Sequence, residues 1–152
     1  MTTKQRLLSA VIAASIALAA CGGSDSATTT ASTPAQAEES SAAAGIRVVA
    51  AADAAATIAD PPAGLVILDV RTKEEFDEGH IEGAVLLDFY REDFAAELTK
   101  LDPQVPYVLY CRSGNRSSGT REIMADLGFV DVEDVDGGIV GWQAAGLPVV
   151  TG

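Results

Sequence analysis

Residues 105–117 read VPYVLYCRSGNRS, an apolar segment that leads into a polar loop containing a glycine. The segment 107–110 is short, aromatic and β-branched, which predicts a buried β-strand. Cys111 follows this segment directly and therefore stands at the carboxyl end of the strand, where open α/β sheets bind their ligands. We expect a helix to begin at about Ser117 and to direct its free N–H groups towards the loop.

The loop that follows Cys111 combines features that stabilise a thiolate. Arg112 and Arg116 add positive charge, and Gly114 lets the backbone turn so that successive N–H groups converge on an anion. Such a field lowers the pKa of a thiol, so we predict Cys111 as the catalytic nucleophile. The alternative is an inert buried cysteine, but this polar loop is hard to bury. The predicted substrate-binding residues are the next six: Arg112, Ser113, Gly114, Asn115, Arg116 and Ser117.

Strand and helix patterns alternate through the rest of the chain. We expect strands at 46–49, 65–70, 84–87, 107–110 and 130–135, and helices at 51–58, 72–79, 93–98, 117–127 and 139–145. Thr72 and Glu75 have the spacing of a capping box at the start of the second helix. This alternation predicts an α/β fold with a mostly parallel central sheet and helices on both faces.

The segment from Cys111 to Ser117 resembles the active-site loop of rhodanese-domain sulfurtransferases. Three further motifs, in the order found in that family, are similar to its other characteristic segments: Leu68-Asp69-Val70-Arg71, Gly79-His80-Ile81-Glu82-Gly83-Ala84 and Asp136-Gly137-Gly138-Ile139-Val140-Gly141-Trp142. The resemblance implies a rhodanese-like domain over residues 46–152, with the rhodanese-like fold.

The resemblance also implies an activity, the transfer of a sulfane sulfur through a persulfide on Cys111. The donor would be a small anion, thiosulfate or a persulfide, the acceptor a thiol or cyanide, and no cofactor would be needed. A non-catalytic sulfur carrier or anion-sensing binding module is the alternative. A cysteine-dependent phosphatase or an arsenate reductase agrees less well, because five residues separate cysteine from arginine in those phosphatase loops and four separate Cys111 from Arg116.

The N-terminal part of the chain has the pattern of an export signal. Residues 1–20 contain two early positive charges and then an uncharged apolar stretch that ends in small residues. Leu18-Ala19-Ala20-Cys21 resembles the lipobox of bacterial lipoproteins, which makes Cys21 the expected site of lipidation. The alternatives are an ordinary cleaved signal peptide, with Cys21 incidental, and a cytosolic protein with an apolar first helix. Residues 21–45 lack aromatic residues, and we expect a flexible tether there that holds an exported domain to a bacterial membrane.

Composition limits the partners of the protein. Its formal net charge of −12 makes nucleic acid an improbable ligand. One histidine and two cysteines are a poor set of zinc ligands, so we expect no metal site.

A few conspicuous side chains outside the loop are expected to have structural roles. Asp69 and Arg71 follow a predicted strand and are placed to form a partly buried ion pair. His80 is expected to pack or to bond to the backbone, and Trp142 to lie in the core. The acidic residues within 122–136 are expected to form a solvated face.

Overall fold

The structure of this protein is a computed structural model that describes residues 45–152. The predicted signal peptide at 1–20, the lipidation site Cys21 and the tether up to residue 44 lie outside the described residues. Among residues 45–152, no helix has the length and apolar character needed to cross a bilayer.

Five strands alternate with five helices along the described residues. In chain order they are β1 (Ile46–Val49), α1 (Ala51–Ala59), β2 (Val66–Asp69), α2 (Lys73–Glu78), β3 (Val85–Leu86), α3 (Phe94–Leu98), β4 (Tyr107–Tyr110), α4 (Asn115–Asp126), β5 (Val132–Val135) and α5 (Gly138–Ala144). The expected order of elements is confirmed. Two boundaries differ in ways that matter below: α4 begins at Asn115 rather than at Ser117, and Val130 lies outside β5.

The strands form one sheet in the order β1-β5-β4-β2-β3, and every pairing in it is parallel. Residues from α3 and α4, such as Leu98 and Met124, pack in the core cluster on one face. Residues from α1 and α5, such as Ala54 and Trp142, pack in the cluster on the other. The α/β class with helices on both faces is therefore confirmed. The strands β2 and β4 consist mainly of apolar residues, because both faces of a covered parallel sheet are buried.

The segment after β2 is held in place by short-range polar contacts. The Thr72 hydroxyl accepts a hydrogen bond from the Glu75 N–H, and the Glu75 carboxylate accepts one from the Thr72 N–H at 3.1 Å, which completes the predicted capping box. Asp69 and Arg71 form a buried ion pair of 2.7 Å, and Arg71 also donates to the carbonyl of Gly79. These bonds fix α2 beside the carboxyl edge of the sheet.

Two acidic residues contradict the expected solvated face. Glu133 and Asp134 lie in β5 and are 6% and 3% exposed. Because β5 is an inner strand with helices on both faces, its side chains are covered whatever their charge. Each of the two carboxylates forms an ion pair with an arginine: Arg47 lies 2.6 Å from Glu133, and Arg121 lies 2.7 Å from Asp134.

Candidate active site

Cys111 follows β4 at the carboxyl edge of the sheet, as the sequence predicts. The residue is 1% exposed, and it lines a cavity of about 330 Å³. Its Sγ accepts a hydrogen bond of 3.1 Å from the N–H of Gly114. Gly114 has a φ of +100°, a backbone conformation that favours glycine, and this turn directs its N–H back to the sulfur.

The amino end of α5 is hydrogen-bonded to the loop that begins at Cys111. The N–H of Ile139 donates to the carbonyl of Cys111 at 2.8 Å, and the N–H of Val140 donates to the carbonyl of Arg112 at 3.2 Å. Because these carbonyl groups are bound to the amino end of α5, they are not directed into the cavity. The N–H groups of the loop residues that follow remain available to donate hydrogen bonds to the sulfur and to an anion that enters the cavity.

Hydrogen bonding controls the ionisation of the Cys111 thiol. Burial of the sulfur opposes ionisation, but hydrogen bonds from the Ser117 hydroxyl and from the N–H groups of Ser117, Ser113 and Gly114 outweigh it, so the pKa of Cys111 lies below its usual value. The Ser117 hydroxyl also lies 3.1 Å from the carbonyl of Gly114, and its single proton therefore has two acceptors. An anionic sulfur is the stronger acceptor of the two once the thiolate has formed.

Arg116, predicted from the sequence as a substrate-binding residue, is paired with an acid. Its guanidinium donates to both carboxylate oxygens of Glu75, at 2.6 and 2.8 Å, and lies over the ring of Tyr90, 5.6 Å from the centroid. The hydrogen bond from Arg116 lowers the pKa of Glu75 to about 2, so this carboxylate is ionised at neutral pH. Arg116 and Ser117 lie in the first turn of α4 rather than in the loop.

Arg112 is the cation that remains available to a ligand. It is exposed at the rim of the cavity, and no carboxylate of residues 45–152 forms an ion pair with it. Arg121, the third arginine near the loop, is bound to Asp134. Because Arg116 and Arg121 are each paired with a carboxylate, the net positive charge around Cys111 is smaller than the number of nearby arginines.

The structure brings most of the predicted site residues to one cavity. Its lining residues are Thr72, Glu75, Tyr90, Cys111, Arg112, Ser113, Asn115 and Arg116. Gly114 contributes its N–H to the sulfur, and Ser117 is fully buried behind the loop. A second depression shares Arg112 and Glu75 with this cavity, and Arg71 and Gln143 are among its lining residues.

The side chains assigned to the scaffold are found there. His80 stacks on Phe76 with ring centroids 3.7 Å apart, and its Nδ1 lies 3.0 Å from the Phe76 carbonyl. Trp142 is 3% exposed and donates to the carbonyl of Pro148. Within residues 45–152, no group of three or more histidine, cysteine or acidic side chains is arranged to hold a metal ion.

The comparison with known families agrees with this geometry. Residues 50–145 match the rhodanese-like domain. The chain belongs to the rhodanese-like family. It is 37% identical over 81 residues to thiosulfate sulfurtransferase GlpE of Pseudomonas savastanoi pv. phaseolicola, a match that covers 53% of this chain and 74% of that protein.

Two further relatives show how this domain is used. The crystal structure of a rhodanese-related protein from Thermoplasma volcanium has 31% sequence identity and a TM-score of 0.60, covering 68% of this chain and 97% of that one. The tRNA uridine(34) hydroxylase of Chlamydia abortus is 39% identical over 88 residues, which is 53% of this chain and only 27% of the hydroxylase. The matched region thus makes up nearly all of the crystallised Thermoplasma chain and about a quarter of the hydroxylase.

Two residues of this rhodanese-like site were missed by the sequence reasoning. Glu75 was identified only as a capping residue, although the same carboxylate also binds Arg116. That contact spans 41 positions, and no local pattern signals it. Tyr90 follows β3 in an irregular segment, and its position on the cavity rim depends on where that segment folds.

Proposed function

We propose that this rhodanese-like protein is a sulfurtransferase that moves a sulfane sulfur from a small anionic donor to a thiol or to cyanide. The observation that carries the proposal is the environment of Cys111, whose sulfur accepts the Gly114 N–H at 3.1 Å and whose pKa is lowered at the floor of a polar cavity. The similarity to thiosulfate sulfurtransferases supports the same reaction.

In the first half-reaction the Cys111 thiolate attacks the outer sulfur of the donor. A bond forms between Sγ and that sulfur while the sulfur–sulfur bond of the donor breaks, and with thiosulfate the leaving group is sulfite, which takes the electron pair. The N–H groups of Ser113 and Gly114 are placed to stabilise the negative charge on the new persulfide. Arg112 and the side chains of Ser113 and Asn115 would contact the donor at the cavity wall.

In the second half-reaction the acceptor removes the sulfur. A thiolate or cyanide attacks the terminal sulfur of the persulfide, and the electron pair of the breaking bond returns to Cys111 as thiolate. Both steps transfer sulfur without net oxidation, so their chemistry requires neither a metal nor an organic cofactor. A covalent intermediate between two substrates predicts ping-pong kinetics.

The test is to incubate the purified protein with thiosulfate and measure its intact mass. We expect a gain of one sulfur atom that is lost when a thiol or cyanide is added. In Cys111→Ser the gain should be absent, and thiosulfate:cyanide activity should fall to the uncatalysed rate. If the wild type gains no sulfur from thiosulfate or from a persulfide, the proposal is wrong and a non-catalytic anion-binding module becomes the better explanation.

We also propose that the protein is exported and lipid-anchored through Cys21. The support is the apolar signal at 1–20 and the lipobox-like sequence that ends in this cysteine. In cells grown with radiolabelled palmitate, the wild type and Cys111→Ser, which changes the other cysteine, should carry the label, whereas Cys21→Ser should carry none. If Cys21→Ser is labelled like the wild type, the proposal is wrong.

A further inference from the structure

We propose that Glu75 makes this site selective for sulfur donors that carry a single negative charge, namely organic persulfides, over the dianion thiosulfate. The inference rests on the proposed sulfur transfer and narrows its donor. It assigns Glu75 as a specificity-determining residue.

Glu75 neutralises a cation in the cavity lining. Its carboxylate lines the same cavity as Cys111 and accepts two hydrogen bonds from Arg116, of 2.6 and 2.8 Å, which pair it with that neighbouring cation. The side chains of this pair are only 25% and 13% exposed for Glu75 and Arg116. A partly buried bidentate pair is weakly screened by solvent, and it does not separate cheaply to release Arg116 for a ligand.

The cavity lining carries little net charge. Arg112, Arg116 and Glu75 are its ionised side chains apart from the sulfur, and together they carry one positive charge. The Cys111 thiolate cancels that charge, so the donor enters a lining that is neutral overall. Attraction by Arg112 and by backbone N–H groups can hold one negative charge there. A second negative charge on the donor meets both the Glu75 carboxylate and the thiolate without a further cation to offset them.

An exposed aromatic ring lies at the rim of the cavity. Tyr90 is 69% exposed although it lines the cavity. The guanidinium of Arg116 lies on this ring at 5.6 Å from the centroid, which helps to hold the ring in place. An organic persulfide has a carbon substituent that can cover the ring, whereas thiosulfate has only oxygens at that end.

The chemical step with this donor balances. The Cys111 thiolate attacks the terminal sulfur of R–S–S⁻, a new sulfur–sulfur bond forms, and the donor bond breaks with its electron pair on R–S⁻. The products are a Cys111 persulfide anion and a thiolate that takes a proton from water. No oxidant or reductant is required.

The experiment compares first half-reactions in wild type, Glu75→Gln and Glu74→Gln. Single-turnover rate constants for persulfide formation on Cys111 are measured by quenching and intact mass, with thiosulfate and with 2-hydroxyethyl persulfide as donors. Glutamine at position 75 can still accept the Thr72 N–H of the capping box. Glu74→Gln removes the same charge from the adjacent exposed position, outside the cavity lining.

We expect Glu75→Gln to raise the thiosulfate rate constant about tenfold relative to that of the persulfide, because one charge is removed close to a dianion. Glu74→Gln should change this ratio by less than about twofold. Taking the ratio between variants cancels the intrinsic reactivity of the two donors. Salt gives a second measurement on the wild type alone: added KCl should accelerate the reaction of thiosulfate more than that of the persulfide, since it screens the repulsion.

The results distinguish a failure of the proposed donor selectivity from a failure of the proposed sulfur transfer. If neither donor leaves sulfur on wild-type Cys111, the proposed sulfur transfer is wrong. If both donors react but the ratio is the same in wild type and Glu75→Gln, Glu75 does not select the donor. Should Glu75→Gln not fold, an equal effect of salt on both donors would refute the inference by itself.

Discussion

Alanine in place of Gly138 should distort the loop that follows Cys111, which the amino end of α5 contacts. Gly138 has a φ of +57° at the start of α5, where that helix meets the loop carbonyls. A Cβ at this position would overlap the carbonyl oxygen of Cys111 and lie 2.8 Å from the carbonyl oxygen of Arg112. Both contacts are with backbone, which cannot rotate away as a side chain would.

The size of the effect follows from two contributions. A left-handed backbone conformation costs a non-glycine residue about 1–2 kcal/mol. Overpacking against fixed atoms adds about 1–3 kcal/mol. Gly146→Ala is the matched control, because Gly146 has a φ of +74° and a Cβ there would meet nothing within 4 Å. The difference in the free energy of unfolding between the two variants is then the overpacking contribution alone, about 1–3 kcal/mol.

Urea denaturation followed by Trp142 fluorescence measures this difference. With a slope of about 1–3 kcal/mol per molar urea, Gly138→Ala should unfold about 1 M earlier than Gly146→Ala. The rate at which Cys111 is alkylated at neutral pH should change in Gly138→Ala and stay the same in Gly146→Ala. The reason is that the displaced loop of Gly138→Ala no longer directs the same N–H groups at the sulfur. Equal midpoints for the two variants would refute the close approach of α5 to the loop.

Two further predictions concern the sulfur and the buried ion pair. Ser117→Ala should raise the pKa of the Cys111 thiol, because the thiolate loses a donor; the midpoint of the pH dependence of alkylation should move upward, and an unmoved midpoint would contradict the role of the hydroxyl. Asp69→Asn leaves Arg71 buried without its carboxylate and should cost about 3 kcal/mol of unfolding free energy in urea. Asp93→Asn, in an exposed ion pair screened by solvent, should lower the free energy of unfolding much less, and similar losses in both variants would count against the buried pair.

Local patterns were enough to predict the elements of the fold. The strand at 107–110 and the capping box at Thr72 depend on neighbouring residues, so they can be inferred from one stretch of sequence. The parallel sheet then follows from the alternation of strands and helices. The predicted end of the strand at 107–110 also places Cys111 at the carboxyl edge of the sheet. The start of α4 was placed two residues late, since the turn at Gly114 allows the helix to begin directly after it.

The sequence by itself therefore determined the α/β class, the position of Cys111 at the edge of the sheet and the polar loop around it. Only the tertiary structure decided the charge of the site, because Arg116 meets Glu75 across 41 positions. It likewise decided that Asp134 is buried beside Arg121, since strand order determines which strand is covered on both faces. Charges act through space, and their partners are known only once the chain has folded.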